Sequence, residues 1–200
     1  MMVLRSVYVL PPSEKTGLSY LGRTRTAPVV CYLDFDGVLH HEAVFKSRRR
    51  GIYLDTKAAP ERTLFEWAGH LEQALEPYPD VKLVLSTTWV RVLGFSKARS
   101  LLPSSLAERV IGATFHSQAH GQARASLREF EAMPRGEQVW SDVTRRMPKR
   151  WFAIDDAVDD WADELLPYLV PCAGPSGLSS EASRAALAHM LASVHRADVE

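Results

Sequence analysis

The run Val29-Val30-Cys31-Tyr32-Leu33 is followed directly by Asp34-Phe35-Asp36-Gly37. Its five residues are β-branched, aromatic or otherwise apolar, and Pro28 precedes them. A short continuous apolar run bounded by a turn-forming residue is typical of a strand that is buried on both faces, as in parallel sheets. We therefore expect an interior strand over residues 29–33, with two acidic residues immediately after it.

Apolar runs and amphipathic segments alternate along the rest of the chain. This alternation indicates an α/β sandwich in which helices cover both faces of a mostly parallel sheet. The further strands are predicted at residues 81–85, 110–115 and 151–154 with a last short one within 165–170, and the helices at 59–75, 96–101, 104–109, 137–146 and 179–194. The polar segment 118–134 has no pattern that predicts either a helix or a strand.

The chain shows no internal repeat and no linker that would divide it into two domains. We expect one domain over residues 28–200, preceded by an N-terminal extension over residues 1–27. Within this extension, residues 7–10 could form an edge strand, whereas the Pro, Ser, Gly and Thr residues that follow favour a loop.

The composition limits the classes of function. Lys plus Arg and Asp plus Glu number 24 each, so the net charge is zero and there is no overall positive field to hold nucleic acid. A local basic patch could still do so. Two cysteines cannot form a disulfide framework, which suits a reducing compartment. No apolar stretch has the length of a membrane span or a signal peptide, so we expect a cytoplasmic protein without membrane contact.

Acidic and hydroxyl side chains follow three of the predicted strands. Asp34 and Asp36 come after the first, the segment 86–88 (Ser-Thr-Thr) after the second along the chain, and Asp155 with Asp156 after a later one. In α/β sheets of this kind, ligands bind beyond the carboxyl ends of the strands. We therefore expect these side chains to line one site.

Paired carboxylates at such a site need a compensating positive charge or a shared proton. Asp34 and Asp36 should point the same way, and two carboxylates that share a site repel unless a cation or a shared proton intervenes. Oxygen ligands suit a hard divalent cation such as Mg²⁺, and Asp155 and Asp156 could complete the set. Alternatively, acidic residues directly after strands are common turn and cap residues.

Taken together, the three strand ends resemble the motifs of the haloacid dehalogenase-like (HAD) phosphohydrolase superfamily. Residues 32–39 (YLDFDGVL) resemble its first motif, residues 83–89 (LVLSTTW) its second, and residues 151–156 (WFAIDD) its fourth. The resemblance covers about residues 29–194. It implies a three-layer α/β sandwich around a mostly parallel, Rossmann-like HAD sheet. The gaps between the motifs leave no room for a large cap domain.

Within that superfamily, the chain is most similar to small stand-alone HAD domains related to RNA-repair phosphatases. The second motif continues into Trp89, with Arg91 two residues later. Residues 135–139 (RGEQV) open a helix before the fourth motif, and residues 177–179 (GLS) precede a terminal helix.

The resemblance implies a Mg²⁺-dependent phosphatase that acts through an aspartyl-phosphate. Asp34 would be the nucleophile. Asp36 would protonate the leaving oxygen and then deprotonate the attacking water. Mg²⁺ would be held by the carboxylates of Asp34 and Asp156 and by the backbone carbonyl of Asp36, with Asp155 supporting the site.

Two positions in the implied site have alternative candidates. The hydroxyl that binds the phosphoryl group would be that of Thr87, with Ser86 the alternative. The cation of the third motif would be Arg135, on the resemblance of residues 135–139, in place of the usual Lys. Lys149 is the competing candidate, although it lies only a few residues before Asp155.

The expected partner is a phosphorylated substrate, either a small molecule or a nucleic acid end. The first rival hypothesis is a HAD-like binding or regulatory domain with little turnover, which the missing third-motif Lys would favour. The second is a phosphotransferase that passes the phosphoryl group to an acceptor other than water. The sequence leaves the oligomeric state open.

Other residues have both a functional and a structural interpretation. The basic run 46–50 could attract a polyanion, but a solvated loop is the simpler interpretation. A metal role for His40 and His41 has little support without further ligands at suitable spacing. The pair His116 and His120 lacks the Glu of the zinc helix pattern. Trp89 could line a pocket, but packing is the simpler role.

Overall fold

Parallel strands build the central sheet of the structure, a computed structural model that describes residues 29–196. In chain order, the strands are β1 (Val29–Leu33), β2 (Val44–Ser47), β3 (Gly51–Leu54), β4 (Lys82–Leu85), β5 (Val110–Ala113), β6 (Arg150–Asp155) and β7 (Leu169–Pro171). The sheet has the order β5-β4-β1-β6-β7 with all neighbours parallel, while β2 and β3 form a separate antiparallel pair. The predicted α/β class and parallel sheet are confirmed.

Helices cover both faces of this sheet. They are α1 (Ala68–Leu75), α2 (Thr88–Leu93), α3 (Phe95–Arg99), α4 (Ser104–Ala107), α5 (Ser117–His120), α6 (Arg124–Ala132), α7 (Arg135–Arg146) and α8 (Glu181–Arg196). The helix α7 packs on one face, and α1 and α8 pack on the other. The result is the three-layer sandwich that the sequence predicts. None of the helices between residues 29 and 196 has the length and apolar character needed to cross a membrane.

The central strand β1 is buried on both faces, as its apolar run predicts. Alternate side chains enter the two layers: Tyr32 joins the apolar cluster that contains Val139 of α7, and Leu33 joins the cluster that contains Leu71 of α1. Full burial of one such side chain contributes about 1.5–3 kcal/mol. The neighbours β4 and β6 pair with β1 along its length, which fixes the strand ends relative to one another.

The helix predicted over residues 59–75 is shorter in the structure, and this prediction is wrong for its first half. Only Ala68–Leu75 is helical. The backbone N–H groups of Phe65 and Trp67 are bound by the ring of His40 and the carbonyl of Leu39. Because these groups hold the loop after β1, the chain cannot use them to extend α1 toward its N-terminus.

Two other segments have more structure than the sequence predicts. The basic run 46–50 lies in the hairpin of β2 and β3, with residues 48–50 exposed at its turn. The unassigned segment 118–134 contains the end of α5 and all of α6. The hairpin occupies the connection between β1 and α1, and no large cap is evident in the described part of the chain.

The predictions for residues 1–27 lie outside the described residues.

A buried polar network ties α7 to β1. The Tyr32 hydroxyl donates to Asp142 Oδ2 at 2.9 Å, and Arg146 Nε donates to the same oxygen at 2.7 Å. Arg145 pairs with the other carboxylate oxygen. Burial alone would raise the pKa of Asp142, but the hydrogen bond and charge of Arg146, together with Tyr32, lower it below its ordinary value. The carboxylate of Asp142 is therefore ionised and paired in the folded state.

Substituting Asp142→Asn should destabilise the fold by about 2 kcal/mol near pH 7, because the half-buried guanidinium of Arg146 loses its ionic partner. The lowered pKa of Asp142 contributes stability above the ordinary aspartate pKa of 3.8. That contribution is lost as the pH falls through the lower pKa of the folded state. Urea denaturation of the wild type and of Asp142→Asn, from pH 7 downward, measures the difference between their free energies of unfolding. This difference should become smaller at acid pH.

The matched control is Asp163→Asn, which removes a carboxylate from an exposed position. It should change the free energy of unfolding by less than about 0.5 kcal/mol. A difference between wild type and Asp142→Asn that stays constant into strong acid would contradict the ion pair.

Candidate active site

Three buried or half-buried carboxylates meet at the carboxyl edge of the sheet. Asp34 follows β1, Asp155 ends the neighbouring β6, and Asp156 comes next. The pairing of Leu33 with Ile154 places Asp34 and Asp155 side by side. One carboxylate oxygen from each of the three acids lies within 4.8 Å of the others. The strand ends predicted to share a site therefore do so.

Arg135 is the cation that contacts this acidic group. It is the first residue of α7, and its Nη2 lies 3.3 Å from Asp34 Oδ2 while its Nε lies 3.4 Å from Asp155 Oδ2. Its side chain is 15% exposed, so both contacts are largely shielded from water. Because Arg135 opens α7, the helix start places the guanidinium directly over the acids.

The alternative cation, Lys149, is not at this edge. It is exposed and precedes Arg150, the first residue of β6, whereas Asp155 is the last. A strand rises about 3.3 Å per residue, so the length of β6 separates Lys149 from the acids by about 20 Å. The prediction that Lys149 could serve as the cation of the site is therefore wrong, because Lys149 lies at the opposite end of β6 from the three acids.

Burial makes ionisation of the three acids costly. Burial, reinforced by the charge of Asp34, raises the pKa of Asp155 to about 8 and that of Asp156 to about 6. The pKa of Asp34 is also raised, by burial and by Asp36, although Arg135 opposes the rise. One guanidinium thus faces three carboxylates, and the group needs more positive charge before all three can ionise.

The acidic group fits the Mg²⁺ that a HAD-like site implies. Its donors are all carboxylate oxygens, which hard divalent cations prefer. The loop after β1 also approaches Asp156 closely: Gly37 has φ of +66°, and a Cβ at this position would overlap the Asp156 carboxylate. Only glycine leaves that oxygen in place. Asp34, Asp155 and Asp156 could therefore hold the ion, whereas the carboxylate of Asp36 is directed elsewhere.

Asp36 is held by two ring N–H groups. Trp89 Nε1 donates to both of its carboxylate oxygens, at 2.9 and 3.1 Å, and His40 Nε2 lies 3.0 Å from Oδ1. His40 is fully buried, and its Nδ1 accepts the backbone N–H of Phe65 at 3.3 Å. Since Nδ1 accepts, Nε2 carries the ring proton and donates to Asp36.

His40 and Trp89 contact Asp36, a role that the sequence analysis does not predict for either residue. From the sequence, the first is interpreted as a turn residue and the second as a packing residue. Trp89 is indeed buried, and it packs edge-on against Phe35 at 5.8 Å between ring centroids. Their position in the sequence is the one signal that could have identified both. Each residue lies within four positions of a strand-end motif and carries a ring N–H that can donate to a carboxylate.

Thr87 and Ser86 have different environments. The Thr87 hydroxyl accepts the backbone N–H of Trp89 at 3.4 Å as the N-cap of α2, and its proximity opposes the rise in the pKa of Asp34. Thr87 lines a cavity of about 210 Å³ together with Arg135. The Ser86 hydroxyl is buried and has no partner among the described residues. Of the two candidates, Thr87 is the one that reaches the cavity beside Asp34.

Comparison with known proteins places these residues in a family. The family model described as "HAD domain in Swiss Army Knife RNA repair proteins" matches residues 30–183, well over half of the chain. The matched range contains all the strand-end residues from Asp34 to Asp156. Searches of curated proteins and of solved structures each give no match.

Substituting Gly37→Ala should weaken Mg²⁺ binding by about tenfold or more, because the new Cβ displaces the Asp156 carboxylate from its position. Titration calorimetry with Mg²⁺ measures the affinity, and urea denaturation measures the accompanying loss of stability.

Gly51→Ala is the matched control, because Gly51 has φ of +68° and a Cβ added there would meet only open space. Both variants therefore carry a similar backbone strain of about 1–2 kcal/mol. Equal Mg²⁺ affinities in the two variants would show that the close approach of Gly37 to Asp156 does not matter for the ion.

Proposed function

The chain belongs to this family of HAD domains, and on that premise we propose that it is a Mg²⁺-dependent phosphatase that acts through an aspartyl-phosphate at Asp34. The observation that carries the proposal is the position of the Asp34 carboxylate. It is buried at the end of the central strand, between the guanidinium of Arg135 and the hydroxyl of Thr87. Those neighbours suit a nucleophile that attacks a phosphoryl group.

In the first step, a carboxylate oxygen of Asp34 bonds to phosphorus as the ester P–O bond breaks. Negative charge spreads over the phosphoryl oxygens. The Arg135 guanidinium and the Thr87 hydroxyl, both on the cavity beside Asp34, donate hydrogen bonds to these oxygens. Because both groups are already held at helix starts, little reorganisation is needed when the charge develops.

Asp36 moves the proton in both steps. In the first step its carboxyl group gives a proton to the leaving oxygen, so that an alcohol departs. In the second it takes a proton from water, whose oxygen bonds to phosphorus as the aspartyl P–O bond breaks. Inorganic phosphate and the Asp34 carboxylate result. The N–H groups of Trp89 and His40 fix the orientation of Asp36 through both transfers.

Asp34 and Asp156 would hold Mg²⁺ with the backbone carbonyl of Asp36, and Asp155 lies close enough to join them or to support them. When bound, the ion screens the approach of an anionic substrate to an anionic nucleophile. The raised pKa values of Asp155 and Asp156 support this assignment, because a cation would offset both the burial and the repulsion from Asp34 that raise them.

The substrate class that fits best is a phosphomonoester, and we favour a nucleic acid end over a small molecule. The family model describes domains of RNA repair proteins. The cavity beside Asp34 is covered by no cap domain in the described range, and the exposed basic turn at residues 48–50 belongs to the hairpin between β1 and α1. A large anionic substrate can approach such a site.

Substituting Asp34→Asn should lower kcat for phosphate release by about a thousandfold or more, since the nucleophile is lost. The measurement is Mg²⁺-dependent phosphate release from an aryl phosphate and from 5′- and 3′-phosphorylated oligonucleotides. Asp163→Asn, at an exposed position, should retain wild-type activity.

Three outcomes of this assay would count against the proposal. Release that persists in Asp34→Asn would exclude the nucleophile. A phosphoester formed with an added alcohol, in place of free phosphate, would indicate a phosphotransferase. No release from any substrate, together with no calorimetric Mg²⁺ binding, would favour a binding or regulatory domain.

Substituting Arg135→Ala should lower kcat/KM by about 100- to 1,000-fold, because a donor to the phosphoryl oxygens is lost. Arg135→Lys keeps the charge but not the two-point contact with Asp34 and Asp155, so it should recover only part of this loss. Steady-state kinetics and a thermal melt of each variant separate catalysis from folding.

Lys149→Ala is the control for removal of a cation, because Lys149 lies at the opposite end of β6. Its kcat/KM should equal that of the wild type. Comparable losses in Arg135→Lys and Lys149→Ala would contradict the assignment of Arg135 as the cation of the site.

A further inference from the structure

A second cavity continues from the one beside Asp34. It has a volume of about 320 Å³, within the range of roughly 300–1,000 Å³ that small-ligand sites occupy. The two cavities share four lining residues, Thr114, Phe130, Met133 and Gln138. Arg135 and Thr87 line the first cavity, and Arg135 contacts Asp34. A substrate whose phosphoryl group is bound by these two residues therefore has space for a further chemical group in the adjoining second cavity.

Stacked rings form one wall of the second cavity. The imidazole of His120 stacks on Phe130, with ring centroids 4.5 Å apart and planes at 23°. Phe115 supports Phe130 from the side, at 5.3 Å and 66°. Phe130 is buried while His120 is half-buried, so His120 is the outer ring of the stack. A flat outer ring of this kind suits stacking by a further planar group.

The state of His120 favours a neutral planar partner. Its Nδ1 accepts the backbone N–H of His116 at 3.0 Å, so the ring proton is on Nε2. Burial, His116 and Arg145 lower the pKa of His120 below its ordinary value. The ring is therefore uncharged near pH 7, and it offers a face and one N–H donor.

Gln138 adds a fixed acceptor where the two cavities join. Its Nε2 donates to the backbone carbonyls of Phe130 at 3.2 Å and Met133 at 2.9 Å. Two carbonyl partners can be satisfied only by the NH₂ group, which fixes the orientation of the amide. The side-chain oxygen is left as an acceptor, which complements the donor on His120.

The arginines that line the cavities are each paired with a carboxylate. Arg91 binds Glu131 at 3.0 Å, and Arg145 pairs with Asp142. A second phosphate would have to break one of these pairs to be bound. An uncharged ring with polar edges would not, so the cavity suits a nucleobase better than a further phosphate.

We propose that the second cavity binds the base of the nucleotide that carries the terminal phosphate, stacked on His120 and facing Gln138. This proposal deepens the proposed function and rests on it: the substrate is then a single-stranded nucleic acid end whose terminal base is free to leave its own stack. His120 and Gln138 are binding residues of this subsite, remote from the reacting atoms.

The test is equilibrium binding of terminally phosphorylated single-stranded oligonucleotides to the Asp34→Asn protein with Mg²⁺. One probe of each pair carries 2-aminopurine at the terminal nucleotide, and the other is abasic there; both 5′- and 3′-phosphorylated pairs are used. For at least one end, the fluorescence should be quenched on binding, and removal of the base should raise Kd by about tenfold.

A double-substitution comparison identifies the ring. Adding His120→Ala should raise Kd for the intact probe by about tenfold and leave Kd for the abasic probe unchanged, because both changes remove one stacking contact. His120→Phe should restore the affinity. His189→Ala, an exposed histidine on α8, is the control and should bind both probes as the parent does.

Equal Kd values for the intact and abasic probes, or losses from His120→Ala and base removal that simply add, would overturn the subsite. Absence of binding of both the 5′- and the 3′-phosphorylated probes would also overturn it. Hydrolysis of glycerol phosphate by the wild-type protein, measured in parallel, keeps the two proposals apart. If that hydrolysis depends on Asp34 and the base has no effect, only the subsite fails. If phosphate release is absent from glycerol phosphate and from the phosphorylated oligonucleotides alike, the proposed phosphatase fails.

Discussion

The candidate site depends on three carboxylates that the fold holds together at the carboxyl edge of a parallel sheet, against a single guanidinium. Asp34 and Asp155 are adjacent because β1 and β6 pair in register up to Leu33 and Ile154. Arg135 reaches both because it is the first residue of α7. The apolar core fixes the strands and the helix, so the folding energy of the whole domain sustains an arrangement that repulsion between its charges would otherwise disperse.

This arrangement explains why the site suits phosphoryl transfer. With one guanidinium for three acids, burial raises the pKa of Asp155 to about 8 and that of Asp156 to about 6, and the three carboxylates could hold a further cation. Asp36 lies outside this group. Its carboxylate is held by Trp89 and His40, so the acid proposed to move protons is separate from the acids proposed to hold the ion.

Much of the fold and the main site residues can be predicted from the sequence. Local patterns are enough to identify the strands, and the carboxyl ends of parallel strands meet at one edge of the sheet. Features that depend on distant contacts cannot be predicted in this way. The segment before α1 loses its predicted helix because the backbone of Phe65 binds His40, twenty-five positions earlier. Trp89 reaches Asp36 from fifty-three positions later along the chain. His40 lies only four positions after Asp36, but its ring is oriented by the distant backbone N–H of Phe65. The sequence leaves Lys149 as a candidate because it lies only six positions before Asp155. The structure shows that an extended strand, β6, fills this interval and separates the two residues.

The central claim, that Asp34 forms a covalent aspartyl-phosphate, is tested most directly by intact-protein mass spectrometry. The wild-type protein is quenched in acid during turnover of a phosphomonoester with Mg²⁺, and its peptides are then mapped. We expect a fraction of protein with the added mass of one phosphoryl group, located on the peptide that contains Asp34, which disappears once the substrate is exhausted. Phosphate release at the full rate without covalent phosphate on the protein, or with phosphate on another residue, would contradict it.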